Sequence, residues 1–183
     1  MVNQNSAYVF KVKLLDIKPI IRRRFQVPGP ISLYKLHKIL QVVMGWDDYH
    51  LYEFLIGQER FSESDPEYPE IKNARRIKLC NILTTVKTKL IYTYDFGDNW
   101  EHEITVEKII PSEQELKYPI CLGGKRACPP EDCGSSSGYD RLLRIIRNPS
   151  DKEYKEMMKW LGGSYDPEYF DLEKVNQSLR AIR

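Results

Sequence analysis

Residues 89–110, KLIYTYDFGDNWEHEITVEKII, constrain the fold more than any other stretch of the chain. Leu90, Tyr92, Tyr94 and Phe96 share one face, and so do Trp100, His102, Ile104 and Val106. Two runs of period two joined by Gly97-Asp98-Asn99 specify an antiparallel β-hairpin with one apolar face. A three-residue loop would set Phe96 opposite Trp100 and Tyr94 opposite His102. Thr93, Asp95, Glu101, Glu103, Thr105 and Glu107 then form the outward face. A lone hairpin is barely stable in water, so the remaining chain has to cover the apolar side.

The rest supplies that cover. YVFKVKLLDIKP and IIRRRFQV read as two strands broken by Pro19 and ended by Pro28-Gly29-Pro30. Ser32 opens a helix whose Leu33, Leu36, Leu40 and Val43 share a stripe, and Gly45 suits a left-handed cap. HLYEFLIG (50–57) is a further strand. Residues 58–70 hold five acids and two prolines and read as a solvated loop. A short helix is expected within 71–84. Helical patterns return at 138–147, at 151–161 with Asp151 as N-cap, and at 171–182 with Asp171 as N-cap. Strands early and helices late predict an α+β fold: an antiparallel sheet, one early helix and a helical C-terminal third (about 138–183). The whole forms a single domain over residues 1–183. A chain of 183 residues buries enough surface to fold without disulfides.

Charge excludes little. Lys and Arg total 28 against 26 Asp and Glu, so bulk attraction to a polyanion is weak. The polar start MVNQNS carries no signal peptide, and no apolar run is long enough to span a bilayer, so a cytoplasmic protein without membrane contact is expected. In that reducing setting the four cysteines read as thiols or metal ligands.

Three of them lie in CLGGKRACPPEDCGSS (121–136), a segment whose glycines and prolines argue against both helix and strand. Cys121, Cys128 and Cys133 are spaced C-x6-C-x4-C. With a histidine they could hold zinc, which takes thiolate and imidazole ligands tetrahedrally. His102, on the apolar face of the hairpin, is the first candidate for the fourth position, with His50 and His37 as alternatives. Against this, the spacing matches no standard zinc pattern. The competing and favoured reading makes the cysteines small apolar packing residues. His102 is then a core histidine bonded to Tyr94 or to backbone.

Other groups carry weaker signals. Asp95 and Asp98 flank the hairpin turn. Turn chemistry accounts for both, while an acidic rim holding a hard cation is the sharper alternative. Glu131-Asp132 either orients a ligand or caps a turn. Arg141, Arg144 and Arg147 recur every three residues on one predicted helix, a stripe that could contact phosphates were it not interrupted by Asp151, Glu153 and Glu156. A cysteine nucleophile is unsupported, because proline flanks do not activate a thiol.

IIRRRFQVP, LYKLHKILQVVMGWDDYHLYEF, YTYDFGDNWEHEITVE and YPICLGGKRACPPEDCGSSSGYDRLL resemble a known group, the uncharacterised ORF-three-like proteins of the root-inducing plasmid, which occur on plasmids and near mobile elements. The likeness covers roughly residues 8–147. It implies an α+β fold and assigns no activity. It also leads one to expect glycine where Ser135-Ser136 stands, a change that should loosen that turn without removing a ligand. The function expected first is a non-enzymatic cytoplasmic module, linked to plasmids or mobile elements, that binds protein or nucleic acid, with or without a structural zinc. The second is a metal-dependent hydrolase or nuclease.

Overall fold

A computed structural model describes residues 6–111 and 116–182; the polar start at residues 1–5 lies outside them. Along these residues the strands are β1 (Ala7–Leu14), β2 (Arg22–Pro28), β3 (Tyr52–Ile56), β4 (Glu59–Ser62), β5 (Lys72–Asn73), β6 (Lys89–Tyr94), β7 (Trp100–Ile110) and β8 (Ile120–Lys125). The helices are α1 (Leu33–Met44), α2 (Leu79–Ile82), α3 (Ser135–Ile146), α4 (Tyr154–Trp160) and α5 (Leu172–Leu179). The described strands make one sheet in the order β5-β4-β3-β6-β7-β1-β2-β8. Every pairing is antiparallel except β4 with β5. The fold is thus α+β, as the hairpin demands.

Alternation decides the two faces. Tyr8, Phe10, Val12 and Leu14 of β1, Phe25 and Val27 of β2, and Leu90, Tyr92 and Tyr94 of β6 are buried. They join Leu33, Leu36, Ile39, Leu40 and Val43 of α1 in one core. α1 starts where Ser32 Oγ accepts from the Lys35 amide and stops at Gly45, whose φ of 90° a side chain would strain. The other sheet face carries Lys11, Lys13, Arg22, Arg24, Glu103 and Thr105, exposed or half-buried.

Several expectations need correction. The hairpin loop has five residues, not three. Asp95 and Asn99 take left-handed φ values of 58° and 55°. Asp95 Oδ1 accepts from the amides of Gly97 (2.9 Å) and Asp98 (3.3 Å), closing the loop early. Pairing therefore slips by two residues, so Tyr94 faces Trp100 and Tyr92 faces His102. Phe96, expected inside, is 54% exposed, while Asp95, expected outside, is 6% exposed.

The segment read as neither helix nor strand begins with β8. Its glycines weaken strand propensity, but the open edge of β2 pairs it from Arg22 to Gln26. The acidic loop at 58–70 contains β4 for the same reason, pairing with β3. The C-terminal third is helical only in part. Residues 147–153 and 161–171 separate α3, α4 and α5, and Asp151 Oδ1 accepts from the Glu153 amide in a turn ahead of α4. Asp171 caps α5 as expected, accepting from the Lys174 amide at 2.9 Å.

Two polar anchors tie the helical side to the sheet. The buried Arg23 guanidinium donates to the carbonyls of Val43 (2.6 Å), Lys125 (3.0 Å) and Arg126 (2.8 Å), and stacks on Phe170. Along the outer edge of β8, the Asn176 side chain from α5 exchanges two hydrogen bonds with the backbone of Cys121 (2.8 and 3.0 Å).

Candidate metal centre

Three loops meet at one end of the sheet. The turn after α1 brings His50, the end of β6 brings Asp95, and the segment between β8 and α3 brings Glu131 and Asp132. Packing explains the convergence. Trp46, just past α1, stacks on Tyr94 (5.0 Å between centroids) and donates from Nε1 to the Pro129 carbonyl at 2.9 Å. The Tyr94 hydroxyl accepts from the Tyr49 amide (3.1 Å) and donates to Glu131 Oε1 (3.0 Å). Glu131 Oε1 also accepts from the Asp47 amide at 2.9 Å. Asp98 Oδ2 accepts from the Gly134 amide at 3.0 Å, joining the hairpin turn to the cysteine segment.

Within this frame His50 Nε2 lies 3.6 Å from Asp95 Oδ2, 3.4 Å from Glu131 Oε2 and 3.2 Å from Asp132 Oδ1. That nitrogen is buried, yet no carboxylate is aligned to accept a hydrogen bond from it. Asp95 spends Oδ1 on the turn and leaves Oδ2 facing the histidine. The ligand atoms of His50, Asp95 and Asp132 lie within 4.8 Å of one another. One cation with bonds of about 2.0–2.4 Å spans that distance. Glu131, held by Tyr94 and Asp47, is fixed as a flanking carboxylate. The Asp132 side chain is 70% exposed, so the cluster opens to water. Backbone strain gathers here too: Asp95, Asp132 and Ser135 have φ values of 58°, 56° and 66°.

The proposed zinc ligands do not share this centre, although Cys133 follows Asp132 in the chain and feels the Asp95 and Asp98 charges. Among the described residues, His50, Asp95 and Asp132 form the one group of three or more His, Cys, Asp or Glu side chains close enough to share an ion. Cys121, Cys128, Cys133 and His102 do not converge. Cys121 Sγ faces the Arg24 and Gly123 carbonyls at 3.6 and 3.7 Å. Cys128 lies against Arg23 (3.4 Å) and the Met44 sulfur (3.9 Å), and burial pushes its thiol up to about 11. Burial, with the charges of Asp98, Asp132 and Asp95, pushes Cys133 up to about 12. Raised in this way, neither thiol is activated as a nucleophile. His102 is fully buried, hydrogen-bonded through Nδ1 to the Tyr92 carbonyl (3.1 Å) and edge-on to Trp46.

The segment does fold back onto the hairpin, where the Glu131 carboxylate and the Gly134 amide make its hydrogen bonds. His37 is also separate: Nε2 meets Asp48 at 2.6 Å, Nδ1 meets the Tyr92 hydroxyl at 2.8 Å, and its ring stacks on Tyr52. The Asp98 carboxylate is taken up by the Gly134 amide. Arg141 and Arg144 are exposed on α3 and Arg147 just past its end, with Arg141 paired to Glu153. The sequence reading missed Asp132 as a possible ligand and Tyr94 as the strut beneath Glu131. The prolines before Glu131 were the available signal, since they hold the backbone out of helix and strand.

Known proteins agree with this architecture. A crystal structure of a protein of unknown function from Methanosarcina mazei Go1, MM3350, superposes with a TM-score of 0.84 at 36% identity, covering 93% of this chain and 98% of that one. The uncharacterized protein y4hQ of Sinorhizobium fredii is 36% identical over 177 residues, 95% of this chain and 91% of its own. The sequence pattern of the plasmid pRiA4b ORF-3-like proteins matches residues 6–174. With that pattern spanning nearly the whole chain and a relative at this identity, the protein belongs to the plasmid pRiA4b ORF-3-like family.

Proposed function

We propose that the protein binds a divalent cation through His50, Asp95 and Asp132, and that this open centre is where it acts. One observation carries the reading: a buried imidazole nitrogen 3.2 to 3.6 Å from three carboxylates, none of which is aligned to accept its hydrogen bond. Converging carboxylates repel one another, and a cation relieves that repulsion. One nitrogen and two or three carboxylate oxygens suit zinc, manganese or iron(II) better than a thiolate set would.

Three protein ligands leave coordination positions to water, the property of catalytic rather than structural sites. The reading therefore extends to metal-assisted hydrolysis, with a bound water as nucleophile. A second reading, a non-enzymatic cytoplasmic binding module, draws support from the basic sheet face. All four cysteines are free thiols, in keeping with a reducing compartment. Among the described residues no helix is long and apolar enough to cross a membrane.

Calorimetric titration with zinc, manganese and magnesium tests the centre. The expected result is micromolar binding of at least one ion, weakened tenfold or more in Asp132→Ala. Asp132 sits at a left-handed φ of 56°, which alanine tolerates less well, so the variant should melt somewhat lower without metal, and the metal-induced rise is read against that baseline. Metal at a hundred times its Kd should stabilise the wild type by about 2.7 kcal/mol. If no ion produces heat or a melting shift at millimolar concentration, the reading is wrong. Metal-dependent cleavage of bis(4-nitrophenyl) phosphate, lost in Asp132→Ala, would favour the enzyme over the module.

A further inference from the structure

Strand register lines up like charges on the sheet face that the helices leave bare. Lys13 of β1 pairs with Arg22 of β2, and Arg22 pairs with Lys125 of β8. One row across three strands is thus wholly cationic. Lys11 pairs with Arg24 in the next row, and Arg24 pairs with Gly123, which adds no side chain. Rows on the same face are about 6.6–6.8 Å apart and neighbouring strands about 4.8 Å apart, so five cations occupy one small area.

Like charges directly opposite each other destabilise a sheet. Two carboxylates offset part of this cost: Glu103 reaches Lys13 at 3.0 Å, and Glu107 reaches Arg24 at 2.6 Å and Lys11 at 3.5 Å. Among the described residues neither Arg22 nor Lys125 has a carboxylate within 4 Å, and both are exposed. The five cations outnumber by three the two carboxylates that reach them, while the whole chain carries +2. Positive charge is therefore concentrated here on an otherwise balanced molecule. The stacked Arg22 and Lys125 are left without a neutralising carboxylate among the described residues, which points to an external anion.

The five side chains border a shallow depression of about 750 Å³ with Ile20 and Leu122 at its margin and no aromatic ring in its wall. Single-stranded nucleic acid is held by stacking on aromatic platforms, which this face lacks. A duplex offers closely spaced phosphates and asks only for cations on a matching surface.

We infer that the face formed by β1, β2 and β8 binds the phosphate backbone of duplex nucleic acid, without reading base sequence, through Arg22, Lys125, Lys13, Arg24 and Lys11. This surface lies on the opposite side of the sheet from the residues that frame the cation centre. It differs from the α3 arginine stripe.

Fluorescence anisotropy with a mixed-sequence 20-base-pair DNA duplex, in EDTA, tests the inference apart from the metal reading. For four phosphate contacts, affinity should fall about a hundredfold between 50 and 200 mM salt. Arg22→Gln/Lys125→Gln should weaken binding at least tenfold at 50 mM salt and flatten the salt slope by about 2, without lowering the melting temperature. Arg141→Gln/Arg144→Gln should bind as wild type does. The inference fails if the first variant binds within twofold of wild type, if binding ignores salt, or if the α3 variant is the one that loses it. It also fails if single strands bind tenfold tighter than the duplex, or if phosphatidylserine vesicles bind and the duplex does not.

Discussion

Ser135 shows how one residue sets the quality of a turn. Its φ is 66°, next to Gly134 at 89°, so two consecutive residues lie in the left-handed region where only the second carries a side chain. A left-handed backbone costs a residue with a Cβ about 1–2 kcal/mol, and glycine escapes that cost but loses part of it to chain entropy. Ser135→Gly should therefore stabilise the protein by about 0.5–1 kcal/mol, a rise of roughly 1–4 °C in melting temperature. Thermal denaturation checks it, and an unchanged or lower value would show that the serine is unstrained. The family resemblance leads one to expect glycine here, and the backbone supplies the reason. Candidate ligands were legible only in part at this scale. His50, Asp95 and the Glu131-Asp132 pair were visible as residue types near turns. Nothing in their spacing tells that a histidine forty-five residues before Asp95 shares its end of the sheet, because Tyr94 and Trp46 determine that by packing.

Elements with a strong internal period were the ones the sequence revealed. The hairpin arms, α1 with its Ser32 cap and α5 with its Asp171 cap each follow from local pattern. What failed was pairing. The two-residue slip in the hairpin arises because Asp95 closes a five-residue loop, and β8 exists only because β2 offers it an edge. Both are tertiary facts with no local signature. The first turn of α3 belongs to the same class. A Cβ added at Gly138 would stand 2.0 Å from the Cys133 carbonyl oxygen, a backbone atom that cannot step aside alone. Gly138→Ala should thus cost about 1–3 kcal/mol through overpacking. It should also shift the Asp132 turn, weakening metal binding more than its loss of stability alone explains. Denaturant unfolding beside calorimetry separates the two, and wild-type values in both would contradict the packing account.

For the molecule as a whole, buried histidines govern the response to acid. Burial lowers His102 from 6.5 to about 4, and His37 also to about 4, where desolvation outweighs the neighbouring Asp48 carboxylate. As pH falls through 6.5 the unfolded chain takes up protons that the folded chain refuses, so the stability these residues confer is full above pH 6.5 and drains away towards pH 4. Each contributes up to about 1.4 kcal/mol per pH unit across that window. Urea unfolding from pH 7.5 to 4 should show the slope, and His102→Gln should roughly halve it. A stability flat from pH 6.5 to 4.5 would contradict the burial argument.

The sheet has two ends, and one of them is sealed by a side chain. Asn176 presents to Cys121 the donor and acceptor that another strand would otherwise bring. With that pair of groups occupied from within, a stranger's backbone adding at this border would first have to displace α5.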